Sequence, residues 1–293
     1  MQYLIPKEGF DIGFVQYFLN GIDFQKHRQG STIPHVYFKD YKSEAFPLLT
    51  LPEQQRIVAI LDKAFTAIAT AKENAQQNLQ NAAALFESYL QNVFENKGDD
   101  WEEKTLGEVC KIIGGGTPSK KKEEFYSGDI LWATVRDMKV DLIEKTEHQI
   151  TIDAVKNSST NIIPKGNVII ATRVGLGKVC LLKNDTAINQ DLKGIIPKNT
   201  DNLSIDFLYR WFTSISNRII NEGTGATVQG VKLTFINSLK ISLPPIKEQQ
   251  QIVKKLNSLS AETKKLEAIY QQKIDDLEEL KKSVLNKAFK GEL

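Results

Sequence analysis

The sequence predicts an α+β fold: one mixed α/β, β-rich domain plus two long antiparallel coiled-coil helices. Three observations predict it: an internal repeat, two stretches of about 45 residues without glycine or proline, and a region of short apolar runs between turn residues. The length of 293 residues is typical of two domains of about 150 residues each.

The repeat relates residues 31–98 to residues 226–293 by a shift of 195 positions, and 16 of the 68 aligned residues are identical. About four identities would arise by chance at ordinary composition. The clearest match is Glu-Gln-Gln, which occupies both residues 53–55 and residues 248–250. A repeat of this size indicates duplicated structural units, so it sets the organisation of the whole chain.

Upstream, residues 12–19 match residues 205–212 with a shift two residues smaller. The first copy has no counterpart of residues 99 to about 200. We therefore expect the end of one unit followed by one complete unit, each leading into a long helix. The predicted segments are residues 1–50, 51–98, 99–246 and 247–293.

Each long helix has apolar residues at 4-3 spacing, which is typical of helices that pair along one face. The first series is rich in alanine and the second in leucine and isoleucine, so small and large side chains can interdigitate. At 1.5 Å per residue, each helix would be about 65 Å long. A core hairpin and a rigid spacer between two modules both fit the pattern, and the repeat favours the spacer. The residues expected to pair the helices or to dock a partner are Ile57, Leu61, Leu85, Ile252, Leu256, Leu277 and Leu280.

The region 99–246 contains apolar runs rich in Ile and Val between Gly, Pro, Asn and Asp residues, which is typical of strands. Two further segments, residues 205–222 and 153–159, look helical. We therefore predict a mixed α/β module with a substantial sheet or barrel. The predicted strands lie in KIIGGG, GDILWATV, GNVIIATRVG, GKVCLLKN, GIIPKN, VKLTFI and LKISLPP.

Several loops of this module carry glycines or polar side chains that could contact a ligand. Residues 114–122 combine three glycines with three lysines, and such a loop can approach phosphates closely, although a solvated hairpin turn has the same composition. Arg and Lys can read guanine, and Asn and Gln can read adenine, by paired hydrogen bonds. For each single residue, a capped turn or a surface salt bridge is the alternative. The candidates are Thr117, Ser119, Lys120, Lys121, Trp132, Arg136, Arg173, Gln190, Lys193, Thr227 and Gln229.

The sequence gives no sign of a catalytic centre. GGGTPSKK lacks the spacing of a phosphate-binding P-loop, and Gly175-Leu-Gly177 is only a fragment of a dinucleotide-binding motif. Pro244-Pro245 lacks the flanking residues that adenine methyltransferases use. Two cysteines and three histidines exclude a cysteine-rich zinc site and argue against a multi-histidine metal centre. We therefore expect a non-catalytic binding or adaptor protein.

Net charge and hydropathy bear on the binding partners and the location of the protein. The net charge of +2 does not by itself indicate nucleic-acid binding. Neither a secretory signal nor an apolar span of about 18 residues is present. The sequence therefore predicts a cytoplasmic protein that does not enter a membrane.

The order of several weak motifs resembles that of type I restriction-modification specificity (S) subunits. Together with the repeat and the long helices, these motifs cover essentially the whole chain. The motifs are Trp101 with Leu106-Gly107-Glu108-Val109, Gly115-Gly116-Thr117-Pro118, Tyr126-x-Gly128-x-Ile130-x-Trp132, Pro164-x-Gly166, Asn189-Gln190-Asp191, and Leu243-Pro244-Pro245 followed by Glu248-Gln249-Gln250-x-Ile252-Val253.

The resemblance implies that residues 99–246 are a complete target recognition domain that reads one half of a bipartite site in double-stranded DNA. Residues 1–50 would be the C-terminal remnant of a first such domain. The segments 51–98 and 247–293 would be the conserved helices that set the half-site spacing and dock modification (methyltransferase) subunits. Those partners and the restriction subunit would use S-adenosylmethionine, ATP and Mg, whereas this chain would bind no cofactor and no metal.

One complete recognition domain can read only one half-site. We therefore expect a half-size S subunit that forms a homodimer through its long helices and reads an interrupted palindrome, because two-fold protein symmetry is mirrored in the DNA. The alternatives are an inactive half-subunit that acts as a decoy for modification subunits, and a coiled-coil scaffold protein. The DNA sequence depends on side-chain geometry and DNA shape together, so no residue pattern here encodes it.

Overall fold

A computed structural model describes residues 4–28, 35–225 and 230–293. They form two compact units: unit 1 comprises Met1–Ala83 and Lys264–Leu293, and unit 2 comprises Ala84–Thr263. Two helices, α3 (Leu51–Glu95) and α9 (Ile246–Lys290), contribute residues to both units. No helix in the described part of the chain is long and apolar enough to span a membrane.

Unit 1 joins two short helices to parts of α3 and α9. These are α1 (Ile12–Gly21) and α2 (Phe38–Tyr41). The Asp11 side chain caps α1 by accepting a hydrogen bond from Phe14 N at 3.0 Å. The core of unit 1 brings the beginning of α3 against the end of α9, so the helices are antiparallel here. Its buried residues are Phe14, Ile57, Leu61, Leu285 and Ala288.

Within the described residues, all the strands lie in unit 2, together with several short helices. Three sheets connect the strands in the orders β1-β11, β2-β10-β7-β8-β4 and β5-β3-β9-β6. The strands are β1 (Glu102–Thr105), β2 (Cys110–Gly114), β3 (Ile130–Ala133), β4 (Leu142–Ile143), β5 (His148–Ile150), β6 (Asn161–Ile163), β7 (Val168–Ala171), β8 (Val179–Leu182), β9 (Thr186–Ile188), β10 (Leu192–Pro197) and β11 (Lys240–Leu243). The helices are α4 (Leu106–Val109), α5 (Ile152–Lys156), α6 (Ile205–Ser214), α7 (Ser216–Asn221) and α8 (Leu233–Ser238).

Strand β7 explains how the layers of unit 2 stack. Its four residues are all buried, and successive side chains of a strand point to opposite faces. Val168 and Ile170 pack into the core with α6, whereas Ile169 and Ala171 pack into a second core that residues of β3 and β9 share. A helical layer, the five-stranded sheet and the four-stranded sheet therefore lie one on another.

The repeat is visible in equivalent packing within each unit. In unit 1, the rings of Phe14 and Phe289 lie 5.1 Å apart. In unit 2, the rings of Phe207 and Phe94 lie 5.2 Å apart. The first pair joins α1, which precedes α3, to the end of α9. The second pair joins α6, which precedes α9, to the end of α3. The antiparallel arrangement that the repeat predicts is therefore present in both units.

The prediction of a strand in residues 231–236 is wrong, because this segment contains the start of α8. The short apolar run VKLTFI suggested a strand, but Leu233–Ser238 form a helix that buries Ile236, and Leu239 directly after the helix is also buried. Tertiary packing therefore overrides the local pattern. The predicted helix 205–222 is present as α6 and α7, which meet at Ile215. The predicted helix 153–159 is present only in part, because α5 ends at Lys156.

The 4-3 pattern follows burial only along part of each long helix. Leu90 and Leu285 are buried, whereas Leu85 is 53% and Leu280 is 48% exposed. A straight helix drifts about 20° per heptad, so a strict heptad leaves the buried face. Leu90 lies 29 residues after Leu61, which is close to eight full turns. Of the other residues expected in helix pairing, Ile57, Leu61 and Leu256 are buried, and Ile252 and Leu277 are half-buried.

Candidate nucleic-acid interface

Loops from distant parts of the sequence meet at one edge of the sheets of unit 2. β3 and β9 are parallel neighbours, with Ala133 opposite Ile188. Because the carboxyl ends of parallel strands lie at the same edge, residues 134–136 and 189–191 leave the sheet side by side. Asn189 N donates to Ala133 O at 3.0 Å, which ties the second loop to the end of β3.

Two further loops reach this edge through β10. β2 and β7 both run antiparallel to β10, with Gly114 opposite Lys193 and Ala171 opposite Leu192. The ends of β2 and β7 therefore lie beside the beginning of β10, which directly follows residues 189–191. The loops that leave there are residues 115–122 and 172–177.

These loops surround an open cleft of about 810 Å³. Its walls combine cations, carboxylates, side-chain amides and aromatic rings, which is the mixture of groups that can contact phosphates and base edges. The lining residues are Thr117, Lys120, Glu123, Tyr126, Trp132, Thr134, Val135, Arg136, His148, Val174, Asn189, Gln190 and Asp191.

Trp132 forms an aromatic wall of the cleft and is only 5% exposed. Its indole Nε1 donates to Gly116 O at 3.2 Å. The ring of Tyr126 meets it edge-on at 5.9 Å, and Tyr126 Oη donates to Pro118 O at 2.8 Å. Burial raises the pKa of Tyr126. Trp132 therefore presents a small part of its ring to the cleft and holds the loop 115–122 in place with the rest.

The glycines of this loop serve close packing of the backbone. A Cβ on Gly115 would lie 2.1 Å from Asn189 O, and one on Gly116 would lie 2.5 Å from the carbonyl carbon of Ser159. Gly116 N also donates to Ile188 O at 3.0 Å. The sequence suggested that these glycines let the loop approach phosphates, but they are packed against other backbone. The residues of the loop that are exposed to a phosphate are Ser119, Lys120 and Lys121.

Asp191 organises the polar wall opposite. Its carboxylate accepts from Asn189 Nδ2 at 3.2 Å and from Gln190 Nε2 at 3.3 Å, and lies 3.6 Å from Arg173 Nε. The Thr117 hydroxyl donates to Gln190 Oε1. Both ends of the Gln190 amide thus have partners within the protein, so a bidentate contact with adenine would require the side chain to give up at least one of them.

The positively charged side chains around the cleft differ in how far they are exposed to solvent. The side chains of Arg136 and Arg173 are 77% and 52% exposed. Lys193 is held inward, where its ammonium donates to Gln190 O at 3.1 Å and to Leu192 O at 3.2 Å. Burial lowers the pKa of Lys193, and the nearby Asp191 carboxylate opposes that shift. Lys193 therefore stabilises the loop 189–191 by a hydrogen bond to its backbone.

The structure places five of the eleven residues predicted from the sequence in the walls of the cleft. Thr117, Lys120, Trp132, Arg136 and Gln190 line the cleft. Thr227 and Gln229 lie outside the described residues. The loop that contains them begins and ends at Thr224 and Gly230, which exchange backbone hydrogen bonds of 3.1 and 3.0 Å. A Cβ on Gly230 would lie 3.4 Å from Arg173 Cγ, so the described residue Gly230 adjoins Arg173.

Sequence reasoning did not select several lining residues, among them Glu123, Tyr126 and His148. None of these lies in a glycine-rich loop. Tyr126 ends a short 3₁₀ helix (Glu123–Tyr126) and His148 begins β5. The nearness of His148 to Trp132 depends on the β3–β5 pairing, in which Trp132 lies opposite His148. The aromatic residue in the Tyr126-x-Gly128 motif was the available signal for Tyr126.

Comparison with known proteins gives a consistent result. The chain matches the family described as "Type I restriction modification DNA specificity domain" over residues 1–80 and 98–277. The specificity subunit of the type I restriction enzyme EcoR124I/EcoR124II of Escherichia coli is 37% identical over 224 residues, which cover 74% of this chain and 54% of that protein. The MjaIX specificity subunit of Methanocaldococcus jannaschii is 34% identical over 158 residues, which cover 52% of this chain and 36% of that protein. The chain thus spans about half the length of these relatives or less.

Solved structures share the fold. The HsdS subunit from Thermoanaerobacter tengcongensis superposes with a TM-score of 0.62 at 21% identity, covering 98% of this chain and 72% of that one. A chain from a study of "complex assembly and conformational transition of the type I R-M system" gives a TM-score of 0.76 at 21% identity, covering 96% and 68%. The predicted fold, a β-rich α/β domain with two long helices, is therefore confirmed.

Proposed function

Because this chain belongs to the family of type I restriction modification DNA specificity domains, we propose that residues 99–246 read one half of a bipartite DNA site. The observation that carries this proposal is the convergence of the four strand-end loops on one cleft. Lys120 and Arg136 line it, and Arg173 lies 3.6 Å from the lining residue Asp191. Positive side chains at a rim engage phosphates, and side chains deeper in the cleft can reach base edges.

Within this proposal, the exposed cations divide by role. Lys120 and Lys121 project from a loop and supply phosphate contacts. Arg173 is oriented by Asp191, and a guanidinium with a fixed direction suits bidentate reading of guanine. The chain itself acts without a catalytic group or cofactor, and the modification and restriction subunits supply methylation and cleavage.

The long helices would act as the spacer and as the docking surface for methyltransferase subunits. Leu85 and Leu280 support this, because they are equivalent in the repeat and both are about half exposed, at 53% and 48%. A large apolar side chain that the fold leaves outside is available to a partner. The same helices would join two copies into a homodimer that reads an interrupted palindrome, because a two-fold axis presents the same reading surface to both half-sites.

The test is co-expression of the chain with its modification subunit, followed by sequencing for N6-methyladenine and by mass measurement of the complex. Methylation at an interrupted palindrome by a complex with two copies of this chain is the expected result. A complex with one copy that methylates a non-palindromic site would refute the homodimer. A stable complex without methylation would indicate a decoy, and the absence of any complex would indicate a scaffold role.

A matched pair of variants links methylation to the cleft. Arg173→Ala should abolish or relax methylation at the cognate site while the complex still assembles. Lys165→Ala is the control, because Lys165 lies beside Asp185 in a different surface depression of unit 2. Equal effects of the two variants would contradict a reading role for the cleft.

A further inference from the structure

Unit 1 exposes apolar residues whose equivalents in unit 2 are buried or half-buried. Leu48 is 82% exposed, whereas Leu243, its equivalent 195 positions later, is 9% exposed. Ile12 is 72% exposed, whereas Ile205 packs against the core of unit 2. The same positions are therefore covered in one repeat and open in the other.

Residues 45–48, which are not assigned to a strand, align in the repeat with residues 240–243, and equivalent hydrogen bonds to the next residue of each segment agree with that alignment. Gln54 Nε2 donates to Leu49 O at 2.9 Å, and Gln249 Nε2 donates to Pro244 O at 2.9 Å. The geometry thus places the segment before each long helix in the same register. Unit 2 can therefore show what covers the open segment of unit 1.

In unit 2 the cover is an extended segment that follows the end of α3. Residues 240–243 form β11, which pairs antiparallel with β1, from Glu102 opposite Leu243 to Thr105 opposite Lys240. Just before β1, Trp101 Nε1 donates to Glu248 Oε1 at 3.1 Å. Just after β1, Leu106 is fully buried.

Unit 1 holds the same receiving groups. Glu53 is the equivalent of Glu248, and its carboxylate lies at the surface, where Arg56 donates to it. Phe14, the equivalent of Phe207, is fully buried. The ring of Trp101 lies 6.3 Å from that of Phe207, so an incoming tryptophan would find both a carboxylate and an aromatic neighbour in unit 1.

The proline at position 47 is compatible with pairing of residues 45–48 with an added strand. In unit 2, Leu106 N donates to Leu239 O at 2.7 Å, and hydrogen-bonded pairs alternate along an antiparallel ladder. Ile241 and Leu243 therefore bond to β1, whereas the N–H of Ser242 points away from it. Pro47 is the equivalent of Ser242, so its missing N–H removes no bond with a strand on that side.

We propose that residues 45–48 are an open strand edge at which a second polypeptide docks an extended segment with the chemistry of residues 101–106. The segment runs antiparallel, adds main-chain hydrogen bonds to Phe46 and Leu48, and places a tryptophan at Glu53 and a leucine beside the core. A second copy of this chain is not this occupant, because its own residues 102–105 already pair with its β11. The inference rests on the repeat and not on DNA recognition.

The probe is a synthetic peptide with the sequence of residues 99–109, added to the full chain. We expect saturable slowing of amide hydrogen exchange at Phe46 and Leu48 by at least about tenfold. The control peptide carries Trp101→Ala and Leu106→Asp and should give no protection. The chain variant Leu48→Asp changes an exposed side chain, so it should fold normally and lose the response.

A tethered form separates weak binding from no binding. The same 99–109 sequence is appended after Leu293, which the repeat aligns with Gly98. Protection of both amides in the tethered chain and with the free peptide supports the proposal. Failure in the tethered chain overturns it. Protection by the tether alone, with free peptide at about 1 mM inactive, overturns docking by a second polypeptide. Concentration-dependent protection in the chain alone would identify a second copy as the occupant and would also overturn it.

Discussion

Arg173 Nε lies 3.6 Å from Asp191 Oδ1, and the Asp191 side chain is 15% exposed whereas that of Arg173 is 52% exposed. The carboxylate is thus anchored in the fold, and the guanidinium extends from it toward solvent. Backbone hydrogen bonds fix the anchor, since Thr172 N donates to Asp191 O at 2.8 Å. An arginine whose direction is set in this way loses less side-chain entropy when it meets a base.

Arg173→Ala should lower the affinity for cognate DNA by about 1–3 kcal/mol and relax the preference at one base pair. Lys121→Ala should weaken binding to DNA of any sequence by the same factor. It should also reduce the slope of the logarithm of the binding constant against the logarithm of the salt concentration by about 0.9. Anisotropy titrations of the complex with single-substituted duplexes over a range of NaCl concentrations measure both effects. If Arg173→Ala weakens every duplex equally, Arg173 contacts phosphate and does not read a base.

Asp191→Asn should change specific and non-specific binding in opposite directions. The variant removes the negative charge that orients Arg173, so cognate affinity falls, while the loss of one negative charge strengthens sequence-independent attraction to phosphates. The ratio of cognate to random-duplex affinity is the measurement. Glu147→Gln is the control, because Glu147 lies 3.7 Å from the more exposed Arg136. A parallel rise or fall for both duplex types would contradict the orienting role of Asp191.

The buried side-chain amides of Gln54 and Gln249 should each contribute several times more to the free energy of unfolding than the side chains of the neighbouring glutamines. Both are fully buried; their Oε1 atoms accept from Asp11 N at 2.8 Å and from Ser204 N at 2.9 Å. Gln54→Ala and Gln249→Ala leave buried donors and acceptors without partners, so each should lower the free energy of unfolding of its unit by at least about 2 kcal/mol.

The matched controls are Gln55→Ala and Gln250→Ala, because both residues are exposed and should change stability by no more than about 0.5 kcal/mol. Native-state amide exchange resolves the units separately, which a single global transition would not do. Equal effects of buried and exposed glutamines would show that the amides do not anchor the repeat.

The sequence predicted what depends on local pattern and repetition. The buried run of β7 and the long helices follow from residues close together in the chain, and the equivalence of Glu53 and Glu248 follows from the repeat. The cleft does not, because it depends on which strands become neighbours. The β3–β5 pairing brings His148 to Trp132, and nothing in either local sequence specifies that register.

The long helices show a second limit of local pattern. A 4-3 spacing identifies a helix with one apolar face, but the drift of a straight helix determines which later residues stay on that face. That drift moves Leu85 and Leu280 outward and brings Leu90 and Leu285 inward. The pattern was thus sufficient for the fold and insufficient for assigning individual residues to the core.

Leucine substitutions test this division directly. Leu61→Ala and Leu90→Ala should each lower the free energy of unfolding by about 2–5 kcal/mol, because each removes a buried side chain and leaves a cavity. Leu85→Glu and Leu280→Glu should leave stability within about 0.5 kcal/mol and should weaken capture of the methyltransferase subunit. Urea unfolding and co-purification measure the two effects. Stable capture by the Leu85→Glu, Leu280→Glu double variant would place the docking surface elsewhere.

The two cysteine thiols predict a loss of stability in alkaline solution. Burial raises the pKa of Cys110 and that of Cys180 from 9.0 to about 12, so the unfolded chain releases these protons first. The stabilising contribution is therefore fully present below about pH 9 and is lost as pH rises from 9 toward 12, by up to about 1.4 kcal/mol per pH unit for each thiol. Urea unfolding at successive pH values measures the slope, and the Cys110→Ala, Cys180→Ala double variant should reduce it. Burial also raises the pKa of Tyr17 and Tyr209, so some slope should remain; an unchanged slope in the double variant would contradict the role of the thiols.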